Sequence, residues 1–136
     1  MFSTERKFTS ARQLTSYITK TLKDAGFQRY EKFSGENTAT PYLSEKTFIN
    51  GTSYIVIGGV KDKEEIKEIK ANLEAFFDNL FGKSKQCVSK EIRETYTKDG
   101  QTWVSMHKKM LGVEDLATVR YDIVIYKNWA YYKFDK

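Results

Sequence analysis

The first regular pattern of apolar residues begins after Ser10 and repeats every three or four positions. Its members are Leu14, Tyr17, Ile18, Leu22 and Ala25. Ser10 and Gln13 fit a capping box, in which each side chain accepts a hydrogen bond from a free backbone N–H of the other residue. Gly26 follows, where many helices end in a left-handed residue. The pattern therefore predicts an amphipathic helix over 11–25.

A second helical pattern is longer and carries an unbroken apolar stripe. The stripe consists of Ile66, Ile69, Leu73, Phe76, Phe77 and Leu80. Asp62 and Glu65 repeat the capping pattern at its start, and Gly82 marks its end. The opposite side mixes Lys and Glu, which is typical of a face in water. We expect Leu73 and Phe76 to be fully buried against a sheet.

Between these helices, strand-like segments at 42–49 and 52–58 flank Asn50-Gly51. Asn-Gly favours a two-residue hairpin turn, because such a turn needs a positive φ at both central residues. The run SYIVI in the second segment is apolar throughout, which predicts a central strand buried on both faces. A short strand at 27–33 and a polar loop at 34–41 are expected before this hairpin.

A further hairpin is predicted in the strand-rich region after residue 83. Lys98-Asp99-Gly100 suits a three-residue loop with Gly100 in the left-handed position. A two-residue loop at Asp99-Gly100 would instead pair Tyr96 with Trp103. Both registers remain open, and the choice decides whether Trp103 is buried. Residues 111–117 are predicted to form a loop.

The C-terminal segment pairs YDIVIY with WAYYKF across Lys127-Asn128. If these two residues form a turn, Asp122 lies opposite Lys133, a favourable pairing of charges. One face of the hairpin then collects Val124, Tyr126, Trp129 and Tyr131. A single strand over 118–134 is the alternative.

Together these elements predict one α+β domain over 1–136. It would contain an antiparallel sheet of about six or seven strands, with two helices packed on one face.

Composition narrows the class of protein. No stretch reaches the roughly 18 apolar residues needed to cross a bilayer, and the N-terminus lacks the apolar core of a signal peptide. The chain has one cysteine, Cys87, so an intramolecular disulfide is excluded. We expect a cytoplasmic protein in a reducing compartment that does not act at a membrane. With one histidine, His107, the pattern predicts neither a metal site nor a cofactor.

Positive charge is concentrated in two segments. Residues 1–32 and 83–110 each carry seven Lys or Arg and three acids, whereas 61–82 carries four Lys and six acids. A basic surface built from the two segments could hold nucleic acid. The candidate residues for that function are Lys83, Lys85, Lys90, Arg93, Lys108 and Lys109.

No arrangement of residues indicates catalysis. Cys87 lies between lysines but has no helix N-terminus or glycine-rich elbow beside it, and no acid is placed to orient His107. Gly58-Gly59 leads into a helix as phosphate-binding turns do, but the carboxylates of the first helical turn would repel an anion. We therefore predict a non-enzymatic protein.

The remaining signal is aromatic: nine Tyr, nine Phe and two Trp in 136 residues. Tyr and Trp dominate protein–protein hot spots, so Val124, Tyr126, Trp129 and Tyr131 form the candidate protein-binding patch. The leading hypothesis is a small binding protein that acts on another protein or on a nucleoprotein complex, with a homodimer as an alternative. Its general character is typical of phage or mobile-element inhibitors of host defence systems, anti-CRISPR proteins among them. The alternative hypothesis is a nucleic-acid-binding accessory protein.

Overall fold

The computed structural model describes residues 1–30, 41–47, 51–83, 85–98, 101–104, 118–131 and 134. The two helices are α1 (Ala11–Asp24) and α2 (Lys63–Phe81). The strands are β1 (Gln28–Arg29), β2 (Tyr42–Thr47), β3 (Ser53–Val60), β4 (Arg93–Lys98), β5 (Gln101–Val104) and β6 (Thr118–Tyr126). A 3₁₀ helix, Asn128–Tyr131, follows β6.

The strands form one sheet in the order β1-β2-β3-β6-β4-β5. The α+β class is as predicted, but the sheet is mixed rather than wholly antiparallel. The two-residue strand β1 pairs in parallel with β2, matching Gln28 with Tyr42 and Arg29 with Leu43. It follows α1 through Gly26, whose φ of 100° is readily adopted only by glycine.

Helix α1 begins as predicted, with one difference in its cap. The Ser10 side chain accepts a hydrogen bond from the Gln13 N–H at 3.2 Å. The Gln13 side chain does not return a bond to Ser10 but accepts one from the Thr9 N–H at 2.9 Å. Both interactions satisfy backbone donors that lack a partner within the helix, so they fix the start of α1.

Both helices pack on one face of the sheet and form the main core. Leu14, Ile18 and Leu22 from α1 are fully buried, as is Leu73 from α2. The sheet contributes Ile55, Ile57, Ile123 and Ile125, which belong to the same cluster. The predicted burial of Leu73 and Phe76 is confirmed, and so is the buried central strand β3.

The strand registers refine the predicted hairpins. Thr47 pairs with Ser53, whereas a two-residue Asn50-Gly51 turn would pair it with Tyr54. The loop between β2 and β3 therefore differs from the predicted one. In the next hairpin Tyr96 pairs with Trp103, which is the register of the two-residue loop. The predicted loops 34–41 and 111–117 lie outside the described residues, except Pro41.

The predicted C-terminal hairpin is wrong. Strand β6 pairs with β3 along one edge. Its other edge pairs with β4 through residues 118–122 and with residues 87–89 through an antiparallel bridge between Val88 and Ile125. Both edges are thus occupied, and no edge of β6 is free to accept a returning strand. The chain leaves the sheet after Tyr126 and forms the 3₁₀ helix, so the single-strand alternative is wrong as well. Asp122 lies opposite Arg93 rather than Lys133.

Candidate functional site

The face of the sheet opposite the helices carries a group of polar and aromatic side chains, here called the second face. Cross-strand pairing places Tyr54 opposite Tyr126 and Val56 opposite Val124. Tyr42 and Val56 are buried but do not belong to the main core. Tyr54, Val124 and Tyr126 are half-buried. The second face is therefore a distinct environment, which combines a buried floor with partly accessible aromatic rings.

An ion pair between Arg93 and Asp122 occupies the second face. Arg93 Nε lies 2.8 Å from Asp122 Oδ1, and Arg93 Nη2 lies 3.2 Å from Oδ2, so the contact is bidentate. The Asp122 side chain is 3% exposed, whereas that of Arg93 is 48% exposed. Burial raises the pKa of the Asp122 carboxyl, although the bond to Arg93 and its charge act against that increase. The buried carboxylate thus fixes the orientation of an accessible guanidinium group.

Tyr42 lies beside this ion pair and fills the space above Gly58. A Cβ atom on Gly58 would lie 2.6 Å from the Tyr42 hydroxyl oxygen and 2.7 Å from Cζ, so only glycine allows this close approach. Burial raises the pKa of Tyr42 well above its ordinary value, and the charge of Asp122 adds to the increase. Tyr42 is consequently a neutral phenol that helps to enclose Asp122.

Ser44 adds an unusual polar group to the same floor. Its side chain is 1% exposed, and its Oγ has no hydrogen-bond partner among the described residues. Ser44 pairs with Val56 across β2 and β3. A buried hydroxyl without a partner costs roughly 1–3 kcal/mol.

The predicted protein-binding residues do not form one patch in the structure. Val124 and Tyr126 lie on the second face, as half-buried groups. Trp129 is 1% exposed, so its predicted place in an exposed patch is wrong. Its ring stacks on Phe77 with centroids 5.5 Å apart, and its Nε1–H donates to Thr15 Oγ1 at 3.2 Å. The backbone of Tyr131 belongs to the 3₁₀ helix, and its side chain lies outside the described part of the chain.

The predicted nucleic-acid-binding residues are also divided. Lys83, Lys85 and Lys90 line one surface depression of about 370 Å³. Glu74 and Asp78 line the same depression, so it contains both signs of charge. Arg93 belongs to the second face, where it binds Asp122. Lys108 and Lys109 lie outside the described residues.

The remaining candidates for chemistry are Cys87, the start of α2 and His107. Cys87 is 2% exposed, and burial raises its pKa to about 11, so the unreactive thiol form dominates near neutral pH. The start of α2 is capped by Asp62, which accepts a hydrogen bond from the Glu64 N–H at 2.9 Å. His107 lies outside the described residues. Within the described ranges, no group of three or more His, Cys, Asp or Glu side chains could hold a metal ion.

The sequence reasoning missed Tyr54 and the partnership of Arg93 with Asp122. The local patterns of β4 and β6 do not reveal that these strands are neighbours, because 19 residues separate them in the chain. The only hint in the sequence was that Arg93 and Asp122, two residues of opposite charge, lie in separate predicted strands.

The chain matches no protein-family model, and no curated protein or solved structure is significantly similar to it. No helix among the described residues is both long and apolar enough to cross a membrane.

Proposed function

We propose that this chain is a non-catalytic binding protein that acts on another protein through the second face of its sheet. The observation that carries the proposal is the Tyr54–Tyr126 cross-strand pair on the same face as an accessible Arg93. Tyrosine and arginine are enriched among the residues that contribute most to protein–protein affinity. Val124 supplies apolar surface next to Tyr126 on this face.

The placement of these side chains supports the same proposal. Tyr54 and Tyr126 stand on the two central strands, and Arg93 is held by two hydrogen bonds to a buried carboxylate. Side chains that are already ordered lose less conformational entropy on binding, which otherwise costs roughly 0.5–1.5 kcal/mol for each immobilised side chain. A partner with acidic or carbonyl groups facing Arg93 and apolar groups facing the tyrosines would fit it.

The experiment uses the immobilised protein to capture partners from a host lysate, followed by affinity measurement with the purified partner. Tyr54→Ala and Tyr126→Ala should each weaken binding by about 2 kcal/mol, the order typical of hot spots. Arg93 is left intact, because its removal would leave Asp122 buried and unpaired. Lys63→Ala, on the exposed side of α2, is the control for surface changes away from this face.

Circular dichroism must show that the variants are folded. Folded tyrosine variants that bind the partner as tightly as the Lys63→Ala control would refute the second face as the binding surface. If nuclease treatment of the lysate removes the captured material, the partner is bound through nucleic acid instead.

The narrower part of the proposal is that this partner belongs to a host defence system. Its support is the general character of a small chain rich in Lys and Tyr. Co-expression with a defence system should then restore phage plating, and Tyr126→Ala should abolish that effect. Unchanged plating with every defence system of the host would contradict this part.

A second candidate function is nucleic-acid binding, favoured by the common position of Lys83, Lys85 and Lys90 around one depression. Phosphate groups there would also approach Glu74 and Asp78, which oppose an anion. The geometry of this depression therefore supports a nucleic-acid site less well than the second face supports a protein site.

A further inference from the structure

A second concentration of positive charge lies along α1, away from the sheet. Arg6, Arg12 and Lys20 line one surface depression of about 540 Å³. Asp24 is the acid that lines it with them. The three cationic residues are exposed, and none of them forms an ion pair with a residue that the structure describes. This depression thus has a net positive charge that its own side chains do not neutralise.

Two of the three cationic residues stand on α1, and the third is held beside it. Arg12 and Lys20 stand two helical turns apart on α1, about 12 Å along its axis. The Arg6 guanidinium lies 4.8 Å from the centre of the Tyr17 ring, a cation–π distance that holds it beside the helix. Tyr17 is fixed in turn, because its hydroxyl accepts a hydrogen bond from the Ser3 N–H at 2.8 Å.

A neighbouring depression of about 420 Å³ extends this surface across α1. Arg12 and Ser16 line both depressions, and Lys127 and Asn128 line the second one. Lys127 Nζ lies 3.6 Å from Glu45, so its charge is partly compensated. Hydroxyl and amide groups stand between the cations on both sides of the helix. They belong to Ser10, Gln13, Thr15, Ser16 and Thr21. The hydroxyls of Thr15 and Thr21 already donate to the carbonyls of Ala11 and Tyr17, so Ser10, Gln13 and Ser16 are the ones that can donate to a ligand.

We propose that this surface, the α1 basic surface of Arg6, Arg12, Lys20 and Lys127, binds the phosphate backbone of a nucleic acid. Arginine and lysine, with interspersed Ser, Thr, Asn and Gln groups, are the side chains that contact nucleic-acid phosphates. Trp129 lines the second depression but is buried, so stacking on a base is not available there. Binding should consequently depend on charge and not on sequence. This site is separate from the proposed protein-binding face and uses none of its residues.

The test compares three double variants that each remove two positive charges. Arg12→Gln with Lys20→Gln changes the α1 basic surface. Lys83→Gln with Lys90→Gln changes the depression after α2. Lys61→Gln with Lys63→Gln is the control for net charge, since both lysines are exposed beside the start of α2. Arg6 is left intact because its contact with Tyr17 could contribute to folding.

Fluorescence anisotropy with a labelled single strand and a labelled duplex, at salt concentrations upward from about 50 mM, measures binding. The Arg12/Lys20 variant should lose about tenfold in affinity at the lowest salt. Its log–log salt slope should fall by about 1.4 on a single strand or about 1.8 on a duplex, as expected for two lost phosphate contacts. The probe that binds more tightly, the single strand or the duplex, identifies the preferred form of nucleic acid.

Three results would overturn the proposal. The first is no binding of the wild-type protein to either probe at the lowest salt. The second is an equal loss in the Arg12/Lys20 and Lys61/Lys63 variants, which would show an effect of net charge alone. The third is a loss confined to the Lys83/Lys90 variant, which would place the site after α2. Retained binding to the captured protein partner in the Arg12/Lys20 variant would show that this site and the second face act separately.

Discussion

Replacement of Trp129 by alanine tests the part of the fold in which the structure departs most from the sequence pattern. The indole is 1% exposed and stacks on Phe77 with an interplanar angle of 15°. A buried tryptophan removes roughly 150–250 Å² from water, which at about 25 cal/mol/Å² corresponds to about 4–6 kcal/mol. Measured costs of such truncations are about 3–5 kcal/mol. We therefore expect Trp129→Ala to lower the free energy of unfolding by about 4 kcal/mol.

The hydrogen bond of the indole can be separated from its packing. Trp129→Phe keeps an aromatic ring on Phe77 but removes the donor to Thr15 Oγ1. Thr15→Val removes the acceptor and leaves the indole N–H unpaired, at a cost of roughly 1–3 kcal/mol. Thr15→Ser is the matched control, because it retains the hydroxyl group. The double variant of Trp129→Phe with Thr15→Val then gives the coupling energy.

Urea denaturation followed by far-ultraviolet circular dichroism gives these values, provided that the slope with denaturant is unchanged. A loss below about 1 kcal/mol for Trp129→Ala would show that the ring is not part of the core. Such a result, combined with weaker partner binding, would restore Trp129 to an exposed patch and refute the position of the 3₁₀ helix.

Three further predictions address buried residues of α2, of the second face and of the segment before β4. Leu73→Ala should lower stability by about 2–5 kcal/mol in thermal or urea denaturation, because Leu73 is fully buried; a loss below about 1 kcal/mol would contradict its position. Gly58→Ala should cost about 1–3 kcal/mol through its clash with the Tyr42 ring, and the cost should shrink in a Tyr42→Ala background; equal costs in both backgrounds would refute the contact. Burial raises the Cys87 pKa to about 11, above the roughly 8.5 of a free thiol, so stability should fall as pH rises through about 9 to 11, by on the order of 2 kcal/mol relative to a Cys87→Ala variant; parallel pH profiles for the two proteins would contradict the burial of the thiol.

The helices could be predicted from the sequence because their signals are local. Successive residues of the apolar stripe of α2 lie within about one turn of each other. Asp62 and Gly82 likewise mark the two ends of α2 through the turn next to each of them. The central position of β3 could also be predicted, since a strand buried on both faces requires an apolar run. These elements account for most of the main core.

The order of the strands could not be predicted in the same way. Whether 127–128 is a turn depends on whether an edge of β6 is free, and that depends on β3 and β4, which are distant in the chain. The opposite charges of Asp122 and Lys133 fitted the hairpin, but Arg93 offered an equally good partner on another strand. Local pairing rules cannot distinguish such alternatives, because both satisfy them.

The central position of β6 also explains how the two candidate surfaces arise. Because both of its edges are paired, the chain must leave the sheet after Tyr126, and it turns towards the helices. That turn buries Trp129 beneath α1 and brings Lys127 and Asn128 to the depression that Arg12 lines. Asn128 also donates a hydrogen bond at 3.1 Å to the carbonyl of Gln86, a residue of the second basic segment.

The same strand carries Asp122, Val124 and Tyr126 on the second face, on the side away from α1. Variants on the two surfaces change different residues on opposite sides of the sheet, so their effects on stability should add within about 0.5 kcal/mol. Tyr126→Ala should then leave nucleic-acid binding unchanged, and the Arg12/Lys20 variant should leave protein binding unchanged. A loss of both activities in either folded variant would mean that one ligand spans both faces or that the sheet couples them.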